Sequence, residues 1–293
     1  MADQSALALY LGLGVLASLL LAGGLLMMKS RSSVLPPAHG RAILHAVLIW
    51  IRDPVWIGGL GVQALGYALY VAALSDAPVS LVAVMMQGGI ALFVVFSVLF
   101  LREQATPREW TGILGIVAAM VMLACSLNAG AAGSALNVKS LSAFTAISLS
   151  VALVPFAISR IRRAGIATAI ASGIAFGLGS IYTKPLADTF AAPASAAPLI
   201  HIFVQPWLYL ISAANIAGLI LLQNSFHAAR GIIAMPLSSA ISNLVPIVGG
   251  MLAFAEVLPA EPVAASLRIA AFALTVGSSA LLASGEQAHP TGR

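Results

Sequence analysis

The chain has 293 residues, of which 60% are hydrophobic and only 8% are charged. Soluble globular domains carry about 25% charged residues, so this composition excludes a soluble protein and allows roughly nine or ten membrane spans of about 20 residues each. The net charge of +5 does not indicate nucleic-acid binding, because the basic residues are dispersed in loops between apolar stretches.

Stretches without Asp, Glu, Lys or Arg predict an all-α integral membrane protein with nine spans. In chain order these spans run from about Ser5 to Met28, Pro54 to Ser75, Pro78 to Leu101, Trp110 to Leu127, Ser140 to Ser159, Gly165 to Thr183, Pro206 to Phe226, Ile232 to Ala255 and Ala264 to Ser284. Because no basic region precedes the first span and no cleavage site follows it, we interpret it as a retained helix rather than a signal peptide.

One apolar segment, Ala42 to Ile51, is too short to span and lies between Arg41 and Arg52. It belongs to the polar stretch 36–53, and we predict an interfacial helix there; a re-entrant segment is the alternative.

The basic residues predict the orientation of the chain in a plasma or inner membrane. With the N-terminus outside and the C-terminus in the cytoplasm, eleven of the 14 Lys and Arg residues lie on the inner side. The outer side then holds Lys139, Lys184 and Arg268. Positive residues accumulate in cytoplasmic loops, so this distribution favours an outer N-terminus.

Two parts of the chain have the same pattern of spans, turns and span-ending acids. A shift of 153 residues aligns Tyr70–Glu103 with Gln223–Glu256 without a gap. We therefore predict an N-terminal repeat, residues 1–134 with about four spans, and a C-terminal repeat, residues 135–293 with about five. The copies start five spans apart, so they have opposite orientations, as in the inverted repeats of transporters.

The segment from Asn243-Leu244-Val245-Pro246 to Glu256 resembles a signature of the drug/metabolite transporter superfamily. In its EamA-like members a Pro precedes a span-ending Glu by about ten residues; here Phe93 replaces that Pro in the N-terminal copy, ahead of Glu103. The nine-span layout and the segment Asp53 to Gly58 resemble the NIPA-like magnesium-transporter branch. The resemblance implies a ten-helix fold one span short and a secondary transporter for a small solute or metabolite. Magnesium or another divalent cation is the alternative cargo.

Polar side chains at mid-span are expensive in a membrane and mark candidate substrate-binding residues. These residues are Gln63 and Tyr67 in the second span, Gln87 in the third, Asn215 in the seventh, and Ser239, Ser242 and Asn243 in the eighth. We predict a pocket where these four spans meet. The alternative for each residue is a hydrogen bond that holds two helices together.

Charged residues near span ends have smaller predicted roles. Glu103 and Glu256 are interpreted as structural or coupling acids, and Lys184 as a snorkelling residue or a cation at the outer mouth. Glycines spaced along the sixth span, Gly173, Gly177 and Gly179, predict close helix packing. We expect no catalytic residue, metal site or cofactor, and no enzyme activity. The predicted partners are the bilayer and a small solute; a homodimer is left open, and a membrane scaffold that transports nothing is the competing function.

Overall fold

The computed structural model describes residues 2–38, 40–74, 79–126, 137–158, 164–191, 203–253 and 261–288. Side chains are described for residues 12–38, 40, 42–69, 89–123, 125–126, 137–154, 165–186, 203–253 and 261–282. Across the described part of the chain all regular secondary structure is helical, which confirms the all-α part of the predicted fold class.

Ten α-helices follow one another in this part of the chain, with a short 3-10 helix, Gly40–Ala42, before the second. They are α1 Ala2–Ser30, α2 Ile43–Arg52, α3 Pro54–Leu74, α4 Val79–Phe100, α5 Pro107–Cys125, α6 Val138–Ile158, α7 Ala164–Ala191, α8 Pro206–Ala228, α9 Gly231–Ala253 and α10 Pro262–Ala288. Each predicted span coincides with one helix, and the predicted interfacial segment is α2.

The apolar helices indicate a membrane-embedded protein. Among the described residues, five helices are long and apolar enough to cross a bilayer: Gly12–Ser30 in α1, Gly165–Leu186 in α7, α8, α9, and Pro262–Leu282 in α10. A sixth is counted if α2 and α3, which meet at an angle of 81°, form one bent span. Shorter apolar helices, Gly89–Phe100 and Val138–Val154, belong to α4 and α6. The total of nine spans remains a prediction.

One predicted boundary is wrong. The sixth span was expected to end at Thr183, before Lys184 and Pro185, but α7 continues through Pro185 to Ala191. Proline removes one backbone donor and usually ends or bends a helix in water. Within membrane proteins, packing against neighbouring helices allows proline inside a helix.

Two helix starts are specified by local sequence. At α3, the Asp53 carboxylate accepts hydrogen bonds from the amides of Val55 and Trp56 at 3.1 and 2.8 Å, and Pro54 occupies the first helical position. At α5, the Thr106 amide donates to Glu109 at 2.8 Å and the Glu109 amide donates to the Thr106 hydroxyl at 3.3 Å. This reciprocal pair is a capping box.

By their contacts the helices form two compact units. Unit 1 contains residues 1–130, 226–237 and 259–293, and unit 2 contains residues 131–225 and 238–258. This division follows packing, whereas the predicted repeats, 1–134 and 135–293, follow sequence similarity.

In unit 1, α1 packs against both α3 and α4, and α5 packs against α4 and α10. Small residues allow the close approach of α1 and α3: a Cβ atom built on Gly24 would lie 2.5 Å from the carbonyl oxygen of Gly59. A Cβ on Gly112 of α5 would likewise lie 2.8 Å from the Leu282 side chain of α10. Small residues therefore permit the close approach of both helix pairs.

In unit 2, α7 lies against α6, α8 and α9. A Cβ on Gly173 would approach the carbonyl oxygen of Ser238 to 2.5 Å, and one on Gly177 would approach Val245 Cβ to 2.5 Å. The buried Ser172 hydroxyl donates to the backbone of Gly218 in α8 at 2.8 Å. These contacts confirm the predicted close packing. The apolar core around them consists of Leu141, Phe144, Ile174, Leu178, Ile181, Tyr182 and Ala253.

Candidate functional site

Two candidate residues of unit 1, Gln63 and Tyr67, lie on α3, one turn apart. Gln63 is half-buried against α1, and its amide nitrogen donates to the sulfur of Met28 at 3.2 Å. A Cβ on Gly24 would lie 2.7 Å from Gln63 Cγ, so the glutamine side chain fills the space that this glycine leaves. Tyr67, by contrast, is 60% exposed. Gln63 therefore joins two helices, while Tyr67 extends outward from them.

Asn215 is the candidate residue on α8. Its side chain is exposed, and its amide nitrogen donates to the backbone oxygen of Ile211 in the same helix at 2.9 Å. That nitrogen also faces α7, because a Cβ on Gly179 would come within 2.6 Å of it. The asparagine thus lies over Gly179 of α7.

The three candidates on α9 form one group around a single backbone oxygen. Ser242 Oγ and Asn243 Nδ2 both donate to the carbonyl oxygen of Ser239, at 2.9 and 2.8 Å. The Ser239 side chain is buried, and the other two are partly buried. Since Asn243 uses one amide hydrogen in this bond, its amide oxygen and second hydrogen remain for another contact.

Unit 2 brings Asn215 and the α9 group to the same helix. A Cβ on Gly177 would lie 3.3 Å from the carbonyl oxygen of Ser242, two residues along α7 from the glycine that Asn215 covers. Because residues two apart along a helix are separated by about 200° around its axis, Asn215 and the α9 group lie on different sides of α7.

Three other predicted residues have different outcomes. The side chain of Gln87, in α4, and the whole of Glu256 lie outside the described residues. Lys184 is partly buried within α7 and not in a loop as expected. Whether the residues of the two units share one pocket stays a prediction.

Glu103, predicted to be a cap or a fold-stabilising contact, caps a helix distant in sequence. Its two carboxylate oxygens accept hydrogen bonds from the amides of Gly231 and Ile232, both at 2.9 Å. These amides open α9, where the helix dipole and the unpaired backbone donors attract an anion. The Glu103 side chain is 11% exposed and lies 3.6 Å from Lys29 Nζ.

Lys29 caps the end of the preceding helix, α8. Its ammonium group donates to the backbone oxygens of Phe226 and Ala229, at 2.7 and 3.2 Å. These carbonyls lie at the end of α8, where a cation is favoured. The Lys29–Glu103 pair therefore stabilises both helix ends that flank the α8–α9 turn, one from each side.

A second ion pair holds the turn itself. The Arg230 guanidinium donates to the fully buried Glu109 carboxylate and to the backbone oxygen of Gln104. Burial raises the pKa of Glu109. The hydrogen bond from the Thr106 amide and the interaction with Arg230 together lower it by more than burial raises it, so the pKa lies below its ordinary value. The carboxylate is consequently held in its charged form.

These groups line a cavity of about 300 Å³ at one end of unit 1. Its walls combine side chains of both charges with apolar surface, and consist of Lys29, Ser32, Ser33, Glu103, Phe226, His227, Ala228, Ala229 and Arg230. A cavity of this size and polarity is large enough to hold several water molecules.

From the sequence alone, Lys29 and Arg230 count only among the eleven inner-side charges that predict the orientation. One local signal was present, because the Thr-x-x-Glu spacing of Thr106 and Glu109 is the pattern of a capping box and marks a buried acid. No local pattern connects either acid to the α8–α9 turn.

No protein-family model, no curated protein and no solved structure matches this chain. The resemblance to the drug/metabolite transporters therefore rests on the sequence motifs quoted above.

Proposed function

We propose that this protein is a secondary transporter that moves a small neutral or amphipathic solute across the membrane by alternating access. The observation that carries the proposal is the correspondence of helix bounds at the shift found in the sequence. Moved by 153 residues, α3 and α4 fall on α8 and α9 to within one residue at each end.

The packing within each unit supports the same proposal. In unit 1, α1 lies against α3 and α4; in unit 2, glycine contacts and the Ser172–Gly218 hydrogen bond hold α7 against α8 and α9. Both central helices use glycines for these contacts, and Gly24 and Gly177 are themselves 153 residues apart. If five spans separate the copies, as predicted, they have opposite orientations, which is the arrangement from which alternating access is built.

The proposed solute follows from the polar groups available. Amide and hydroxyl groups such as those of Asn215, Ser242 and Asn243 donate and accept hydrogen bonds without carrying charge. Magnesium prefers carboxylate and other oxygen ligands, and the predicted spans hold no Asp or Glu well inside them. We therefore propose a neutral or amphipathic organic solute, and the uptake of a divalent cation is measured separately in the test below.

Alternating access can be tested before the solute is known. In a Cys125→Ala background, a single cysteine replaces Asn215, and a membrane-impermeant maleimide is added either to intact cells or to inside-out vesicles. Alternating access predicts labelling from both sides, because a central site opens to each in turn. Labelling from one side only, or from neither, would contradict it and favour a non-transporting scaffold.

Flux in proteoliposomes tests the site itself. We expect Asn215→Ala and Asn243→Ala to reduce the uptake of a labelled neutral solute per molecule of folded protein about two- to tenfold, the value of one lost hydrogen bond. Ser212→Ala is the matched control, since Ser212 is an exposed residue of α8 whose hydroxyl also bonds its own helix.

The panel for this experiment contains labelled sugars, nucleosides and uncharged amino acids, with magnesium as a separate arm. Unchanged flux per molecule in both asparagine variants, together with lower protein abundance, would mean that these residues only hold helices together. Magnesium uptake without uptake of any organic solute would mean that the cargo is a divalent cation and not the proposed organic solute.

A further inference from the structure

The short helix α2 has a geometry that the spans do not share. It contains ten residues and meets α3 at 81° across the single residue Asp53. At 1.5 Å per residue, the 21 residues of α3 extend about 31 Å, the thickness of the hydrocarbon core of a bilayer. If α3 crosses the membrane, α2 lies close to the membrane plane.

One face of α2 is fixed to unit 1. Trp50 is 1% exposed, its indole nitrogen donates to the backbone of Pro36 at 2.9 Å, and its ring centroid lies 5.8 Å from that of Trp56. The Arg31 guanidinium binds Asp53 with both a 3.0 Å and a 2.6 Å hydrogen bond, and this bond lowers the pKa of the carboxyl group. The Arg31–Asp53 pair thus joins the two ends of the segment between α1 and α3, and Trp50 holds α2 against its neighbours. These contacts fix the direction in which the other face of α2 points.

The other face of α2 is apolar and exposed. Leu44, Leu48 and Ile51, spaced by four and three residues, are 71%, 46% and 50% exposed. Their spacing places them on a single stripe. His45 and Arg52, both exposed, lie seven residues apart along one flank of that stripe.

We propose that α2 is a binding element for anionic phospholipid at the membrane surface. Its apolar stripe lies at the boundary between headgroups and acyl chains, as in interfacial amphipathic helices, and Arg52 with His45 contacts lipid phosphates from the flank. Arg41, which comes just before α2 in the sequence, adds positive charge to the same segment. Positive residues beside a membrane surface select anionic lipids, which are abundant in the cytoplasmic leaflet that the predicted topology assigns to this segment. This inference does not depend on transport.

Depth measurements test the first half of the proposal. Leu48→Cys in a Cys125→Ala background is labelled with an environment-sensitive fluorophore, and the full-length protein is reconstituted in phosphatidylcholine vesicles. We expect a nitroxide near the headgroup end of the acyl chain to quench the label more strongly than one near the methyl end. Stronger quenching by the deep nitroxide would identify a re-entrant segment, and no quenching by either would mean that another protein surface covers this face. Each of those two results overturns the proposal.

Lipid selectivity tests the second half. In vesicles with about one third phosphatidylglycerol, spin-labelled phosphatidylglycerol should quench the Leu48→Cys label more strongly than spin-labelled phosphatidylcholine. Replacing Arg41 and Arg52 by Gln should reduce this preference about fivefold per arginine, and high salt should reduce it in the unaltered protein. Arg108→Gln, which removes an exposed arginine outside α2, is the control and should leave the preference unchanged.

Arg52→Lys should retain the preference, and it serves as the second variant if the double substitution does not fold. Equal quenching by the two lipids, or a preference unaffected by both the arginine substitutions and salt, would overturn anionic-lipid binding.

Discussion

Glu103 is a residue whose predicted structural role has a specific geometric basis. Its carboxylate accepts two backbone amides at the start of α9 and faces Lys29. Glu103→Gln keeps one acceptor oxygen but loses the charge that both the helix dipole and the lysine favour. Because hydrogen bonds to charged groups are worth about 1.5–3 kcal/mol, we expect lower thermal stability in detergent.

Gln104→Ala is the matched control for Glu103→Gln, since only the backbone oxygen of Gln104 bonds Arg230. It should melt like the unaltered protein. If Glu103→Gln keeps normal stability and abundance but abolishes transport, Glu103 is instead a coupling residue.

Arg102 has a backbone conformation that favours glycine. Its φ angle is 54°, and it lies between the end of α4 and Glu103, whose amide bonds back to Ser97 at 3.3 Å. A non-glycine residue in this left-handed region costs roughly 1–2 kcal/mol. We expect Arg102→Gly to match or exceed the thermal stability of the unaltered protein, and Arg102→Val to lower it because valine is β-branched.

Both Arg102 variants lose the same positive charge, so a difference between their melting temperatures isolates the backbone effect. Equal melting temperatures would mean that the turn before Glu103 adjusts freely.

At the scale of the element, small residues decide how closely α7 approaches its neighbours. A Cβ on Gly177 would lie 2.5 Å from Val245 Cβ, whereas one on Gly277 of α10 would meet nothing within 4 Å. Gly177→Ala should therefore destabilise unit 2 by about 1–3 kcal/mol through overpacking. Gly277→Ala should be neutral or slightly stabilising, because alanine is the better helix former.

Thermal unfolding in detergent compares these two alanine substitutions directly. Equal stability of the two variants would contradict the close contact of α7 and α9.

The elements themselves were largely predictable, because a membrane span is defined by local composition. The predicted start of α8 at Pro206 is the observed one, and the predicted start of α9 differs by one residue. The error at α7 has the opposite cause. The charge of Lys184 ends the apolar stretch and Pro185 usually ends a helix in water, but here the helix continues past both residues.

At the scale of the whole molecule, the distribution of basic residues predicts the topology. A reporter fused after Gly292 should be active only on the cytoplasmic side, and one at Ala131 only on the outer side. From an outer N-terminus, four predicted spans precede Ala131 and nine precede Gly292, so the two reporters lie on opposite sides of the membrane. A C-terminal reporter active only on the outer side would overturn the orientation and the inversion of the repeats.

The sequence by itself determined that the chain is helical and membrane-embedded, and it located the helices closely. Charge inside hydrocarbon is costly, so the limits of each span are specified by the residues within it. The sequence also predicted α2, because Ala42 to Ile51 is apolar, too short to span and lies between Arg41 and Arg52.

Only the tertiary structure decided which residues meet. Glu103 caps a helix 128 residues further along the chain, and Lys29 reaches a carbonyl 197 residues away. The spans are apolar on nearly all sides, since lipid and protein neighbours are equally apolar, and therefore their periodicity does not reveal which face turns inward. Helix rotation, and with it the partner of every polar side chain, is set by the packing of small residues such as Gly24 and Gly177 against specific neighbours.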